Sequence, residues 1–78
     1  MEKKKKIIEE FWIKEEEFKV IRRKYANWDF IKKQPPRIRA ALEYYIETGD
    51  IRRSCIIAKM NVTRFRNLLR EANIPVIS

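Results

Sequence analysis

The chain has 78 residues, 45% of them apolar, and sets nineteen Lys and Arg against eleven Asp and Glu for a net charge of +8. The apolar fraction excludes the composition of a disordered segment, and the lone Cys55 excludes an intrachain disulfide framework. The absence of His, of a metal-ligand cluster and of a Gly-rich phosphate loop argues against an enzyme, and neither a cofactor nor a metal is expected.

That length makes one domain, or one domain with an arm. A chain this short buries only about 60% of its unfolded surface, so a homodimer is the expected state. The basic excess points first to a polyanion, of which nucleic acid is the commonest. No secretory apolar core and no run of about 18 apolar residues occurs, so a cytoplasmic protein with no membrane partner is expected.

Basic residues divide unevenly: residues 1–34 hold nine Lys and two Arg, residues 35–78 seven Arg and one Lys. The Gln34-Pro35-Pro36 step lies at the change, and a proline disfavours helix in the residue before it. Two parts follow: a helical dimerisation arm over 1–34, and a helix-turn-helix DNA-binding unit with an extended tail over 35–78. In the first part Ile7, Phe11, Lys14, Phe18, Ile21, Tyr25 and Trp28 recur at alternating spacings of four and three, one face of a helix from Lys3 to Ala26. Of these, Ile7, Phe11, Phe18, Ile21 and Tyr25 form the candidate dimer seam. The competing reading makes Ile7 to Ile13 a short strand and starts the helix near Glu15. Ala26-Asn27-Trp28-Asp29 reads as a break, with Asp29 capping a short turn through Lys32.

The second part is sharper. Pro36 suits a first helical position, Ile38, Leu42, Tyr45 and Ile46 make an apolar stripe, and Gly49 supplies the left-handed residue that ends the helix. Asp50 caps a helix from Ile51 to Ala58, and Asn61 caps another from Val62 to Ala72. Pro75 stops continuation, and Ile74-Pro75-Val76-Ile77 is an apolar extended tail expected to pack on a neighbour. The fold class expected is all-α.

The spacing is that of a helix-turn-helix. Cys55, beside Ser54 and Ala58, is the small residue that permits a close crossing, and it reads as a buried apolar group. Lys59-Met60-Asn61 is the turn with Met60 inward, and Phe65, Leu68 and Leu69 anchor the last helix. Its outer face keeps Thr63, Arg64, Arg66, Asn67 and Arg70, with no acid before Glu71. Arg pairs bidentately with guanine and Asn with adenine, whereas Thr reaches bases or phosphates. Arg52 and Arg53 open the preceding helix, where side chains and the N-terminal dipole both favour a phosphate. With Lys59 and Asn61 they complete the candidate contacts to double-stranded DNA.

Ala41-Leu42-x-x-Tyr45-x-x-x-Gly49-x-Ile51, then Ala58-x-Met60-x-x-x-x-Phe65-x-x-Leu68-Leu69, then Ile74-Pro75-Val76 resembles the C-terminal half of small archaeal and bacterial antitoxin-like proteins. The resemblance implies a helix-turn-helix, regulation of transcription and a toxin partner encoded alongside. The family usually has Gly where this chain has Lys59, and a strand-like N-terminus where this one reads as helical. A site-specific regulator with no toxin partner fits the same residues. The alternative function is a protein-interaction module that seats its aromatic N-terminal helix (Trp12, Phe18, Tyr25, Trp28) in a partner groove. An RNA-stacking sheet is not evident, and Glu residues interrupt the polar face a membrane-surface helix would need.

Overall fold

The computed structural model describes residues 15–76, and these are all helical apart from turns and the tail. Helix α1 covers 15–25 of the described chain, followed by α2 (Trp28–Lys32), α3 (Pro36–Thr48), α4 (Ile51–Ala58) and α5 (Val62–Glu71). Ile7 and Phe11, and with them the choice between helix and strand over 7–13, lie outside the described residues.

In α1 the residues turned to the core are not the ones the apolar stripe singled out. Arg22 and Ala26 are buried, Phe18 and Ile21 are half-buried, and Tyr25 is 54% exposed. The stripe is displaced because Arg22 finds partners inside. Its Nε donates to the Ile46 carbonyl at 3.0 Å, and Nη2 meets Glu15 Oε1 at 3.2 Å. A guanidinium so placed covers a carbonyl left open by the end of α3, where the helix dipole favours a cation. Nη1 is buried with no acceptor, at a cost to stability.

The cap of α2 is also displaced. Asn27, in extended conformation, accepts from the Phe30 N–H at 3.2 Å, while Asp29 sits inside the first turn. Asn27, and not Asp29, is the cap because the break comes two residues earlier, and the Asp29 charge still complements the helix start. Trp28 folds back, its Nε1 donating to the Arg23 carbonyl at 3.0 Å. The Asn27 N–H donates to the Ala72 carbonyl at 2.7 Å, and Asn73 Nδ2 donates to the Tyr25 carbonyl at 2.8 Å. Ala26 and Ile31 therefore share one core with α3, α4 and α5.

Helix α3 starts at Pro36 and buries Ala41, Leu42, Tyr45 and Ile46. Gly49 ends it at φ 68°, its N–H donating to the Tyr45 carbonyl at 2.7 Å. A Cβ at Gly49 would stand 3.2 Å from Arg22 Nη1, so both the backbone conformation and the buried guanidinium call for glycine. Asp50 then caps α4 by accepting from the Arg53 N–H at 3.1 Å. The inward face of α4 is Ser54, Cys55 and Ala58, all small, and Ser54 Oγ donates to the Asp50 carbonyl at 2.7 Å. Burial pushes the Cys55 thiol pKa up, which keeps it protonated and inert.

The turn between α4 and α5 is Lys59-Met60-Asn61. Lys59 holds φ 54°, a left-handed conformation unusual for a residue with a Cβ, and the Met60 N–H donates to the Cys55 carbonyl at 3.1 Å. Asn61 caps α5, accepting from the Arg64 N–H at 2.8 Å. Phe65, Leu68 and Leu69 face in, and the Phe65 ring meets Tyr45 edge-on at 6.1 Å between centroids. After Glu71 the chain closes in a Schellman arrangement: Asn73 is left-handed at φ 56°, its N–H donates to the Arg70 carbonyl at 3.0 Å, and the Ile74 N–H donates to the Leu69 carbonyl at 2.9 Å. The tail thus begins by packing on its own chain, with Ile74 buried, before Val76 emerges 54% exposed.

Two of the three left-handed residues, Lys59 and Gly49, give opposite mutational outcomes. Lys59→Gly should raise unfolding stability by about 1 kcal/mol, because glycine adopts this conformation without the Cβ cost. Gly49→Ala should lower it by about 1–2 kcal/mol or more, since backbone strain is joined by the approach to Arg22. Urea unfolding followed by circular dichroism measures both.

Candidate nucleic-acid interface

Helix α5 is divided cleanly between core and solvent. Phe65, Leu68 and Leu69 are buried, whereas Thr63, Arg64, Arg66, Asn67 and Arg70 are all exposed. At 3.6 residues per turn, Thr63, Asn67 and Arg70 fall opposite the buried face, with Arg66 on one flank and Arg64 on the other. On the Arg64 flank a shallow cleft of about 230 Å³ is lined by Met60, Arg64, Asn67, Leu68 and Glu71. On the other flank Arg70 joins Ile21, Tyr25, Asn73, Ile74 and Pro75 around a mostly apolar groove of about 420 Å³. Arg66 lies close enough to Tyr45 for its charge to act on the phenol. Burial pushes the Tyr45 pKa up, and the Arg22 and Arg66 charges oppose that rise.

The remaining candidates differ in how available they are. Arg52 and Lys59 are exposed on α4 and its turn. Arg53 is exposed too, but its Nε lies 3.8 Å from Asp50 Oδ2. Because Asp50 also accepts the Arg53 N–H, the start of α4 already holds a carboxylate. Its dipole is thus less open to a phosphate than the sequence suggests, which leaves that task to the side chains of Arg52 and Arg53. Asn61 is exposed, with Oδ1 engaged as the cap of α5 and its amino group still able to donate. Among the described residues no carboxylate pairs with Arg52, Lys59, Arg64, Arg66 or Arg70.

Chemically, this is a rod of donors. Arginine forks suit phosphates and guanine edges, and the Asn67 carboxamide suits adenine. Glu71 is the one acid on α5, placed at its end.

A second cluster, not anticipated from the sequence, lies beside the α3–α4 turn. Glu47 is held between Lys19, at 3.1 Å, and Arg23, which together keep its carboxyl pKa below the usual range. Lys19 and Arg23 stand one turn apart on α1, a spacing that could have signalled a clamp. They neutralise an acid near the end of α3. Because the folded pKa of Glu47 is depressed, its contribution is present above the ordinary carboxylate range and lost as pH falls through the folded value. Glu47 and Arg23 are both about half exposed, so the effect should be about 0.5 kcal/mol or less.

Among the described residues no group of three or more His, Cys, Asp or Glu is placed to hold a metal ion, and no helix is long and apolar enough to cross a membrane.

The division of α5 predicts a separation of effects in urea unfolding. Phe65→Ala should cost about 3–5 kcal/mol as a core truncation. Arg66→Ala and Asn67→Ala should each stay within about 0.5 kcal/mol of the parent.

The chain matches no family model, and no similar curated protein or solved structure was found.

Proposed function

We propose that the chain is a sequence-specific DNA-binding protein that reads the major groove with α5 and acts as a homodimeric regulator of transcription in the cytoplasm. The observation that carries this reading is the exposed face of α5, where Thr63, Arg64, Arg66, Asn67 and Arg70 stand together. Two further features support it. A small-residue face on α4 and a three-residue turn precede α5, as in a helix-turn-helix, and the chain carries a net charge of +8. In that docking mode the early turns of the second helix meet base edges while the first helix touches the backbone. Arg66 and Asn67 are assigned to bases; Arg52, Arg53 and Lys59 are assigned to phosphates. The narrower role of antitoxin, with a toxin partner, is what the family resemblance adds. The alternative, a module binding a partner protein through the N-terminal aromatics, has the exposed Tyr25 in its favour. Trp28, however, is packed against the chain's own core.

Selection of a cognate duplex from a random pool, followed by mobility shift, tests the proposal. With symmetry-related cations making about 4 to 6 phosphate contacts, log affinity should fall against log salt with a slope of about −4 or steeper. Arg66→Ala or Asn67→Ala should cost roughly 1–3 kcal/mol on the cognate duplex and far less on random DNA. Arg53→Ala should weaken both nearly equally, because a phosphate contact carries no sequence information. No retardation of any duplex, or a flat salt response, would overturn the reading. A protein-interaction module predicts that outcome.

A further inference from the structure

The side of α1 turned away from the core has an order that fits a second copy of itself. Glu17, Val20, Ile21 and Lys24 follow one another at i, i+3, i+4 and i+7, which places all four on one face of the helix. The buried residues Arg22 and Ala26 lie on the opposite side. Val20 is 60% exposed, and Ile21 is half-buried. Two β-branched apolar residues at the centre of an exposed helix face are an unpartnered patch. Glu17 and Lys24 are exposed and join no ion pair among the described residues. Each stands about one helical turn from the point midway between Val20 and Ile21, one before it and one after.

We propose that α1 packs antiparallel against α1 of a second copy, about a two-fold axis passing between Val20 and Ile21. In a two-fold contact one patch meets itself, so a residue before the axis faces the residue equally far beyond it. The register that sets Val20 against Ile21 of the second copy therefore sets Glu17 against Lys24 of the second copy, and the reverse. Two ion pairs then flank an apolar centre. A parallel pairing would bring Glu17 to Glu17 and Lys24 to Lys24 and is disfavoured by like charge. The order acid, apolar, apolar, base is its own complement, which is why the occupant is a second copy and not an unrelated helix. The groove lined by Ile21, Tyr25, Arg70, Asn73, Ile74 and Pro75 borders this face, and its apolar side at Ile21 and Tyr25 adjoins the contact while Arg70 stays at the rim. This contact deepens the dimer part of the proposed function and is formed without DNA.

Sedimentation equilibrium of the full chain, with no DNA present, is the test. The parent should be a dimer at high micromolar concentration, and Val20→Glu should be a monomer of unchanged helicity. Glu17→Lys and Lys24→Glu should each raise the dimer Kd about tenfold or more, because both symmetry-related pairs turn from attraction to repulsion. The double variant Glu17→Lys/Lys24→Glu should return to within about threefold of the parent, as should an equimolar mixture of the two single variants. A monomeric parent overturns the proposal. So does a dimer indifferent to both single reversals, or a double variant as weak as the singles. Duplex binding is read separately by mobility shift. A monomeric parent that still retards DNA with steep salt dependence defeats this contact and leaves the DNA reading standing.

Discussion

Three side chains from three helices stack through the middle of the molecule, and the placement of α5 follows from them. The Arg22 guanidinium lies 5.9 Å from the centroid of the Tyr45 ring, and that ring meets Phe65 edge-on at 6.1 Å. Arg22 comes from α1, Tyr45 from α3 and Phe65 from α5, so one column ties the first, central and last helices together. All three are buried, Arg22 and Phe65 completely. Burying a guanidinium is costly unless it is hydrogen-bonded and paired, and Arg22 is both, through the Ile46 carbonyl and Glu15. Arginine suits the site better than lysine because its charge is spread over a plane that packs on an aromatic face and is more weakly hydrated. The unpartnered Nη1 shows that the arrangement is not free of cost.

From that column the rest of the geometry follows. Gly49 turns the chain beside Arg22, allowing α4 to pack along α3 with only small residues between them and the core. Ser54, Cys55 and Ala58 leave room for α5 to approach closely. Lys59 accepts a left-handed backbone so that the turn can stay three residues long. These choices aim Phe65 at Tyr45, and with Phe65 inward, Thr63, Asn67 and Arg70 must point out. The exposed donors of α5 are therefore a consequence of how its apolar face is held.

Much of this was legible in the residues. The glycine at 49, the caps at Asp50 and Asn61 and the anchors of α5 are local signals, each set by chemistry within a few positions, and the all-α fold follows from them. The α1 face was not legible, because its periodicity includes a charged residue that only a distant carbonyl could satisfy. Ile46 lies 24 positions from Arg22, and nothing in α1 alone announces it. The cap of α2 fell to Asn27 because Trp28 turns back to the Arg23 carbonyl, a contact that begins the helix earlier than the pattern suggests. In the candidate interface the exposed residues of α5 were readable from helical spacing. The occupation of the α4 start by Asp50 and the neutralisation of Glu47 by α1 depend on tertiary placement.

The reading of α5 as the element that meets DNA bears most directly on amide chemical shifts in the free and bound protein. Uniformly labelled chain titrated with a selected duplex at low salt should show its largest perturbations over Val62–Arg70, with a second set at Arg52 and Arg53 and little change in α2. Perturbations confined to α1 or α2, or an α5 spectrum unchanged by saturating duplex, would contradict it.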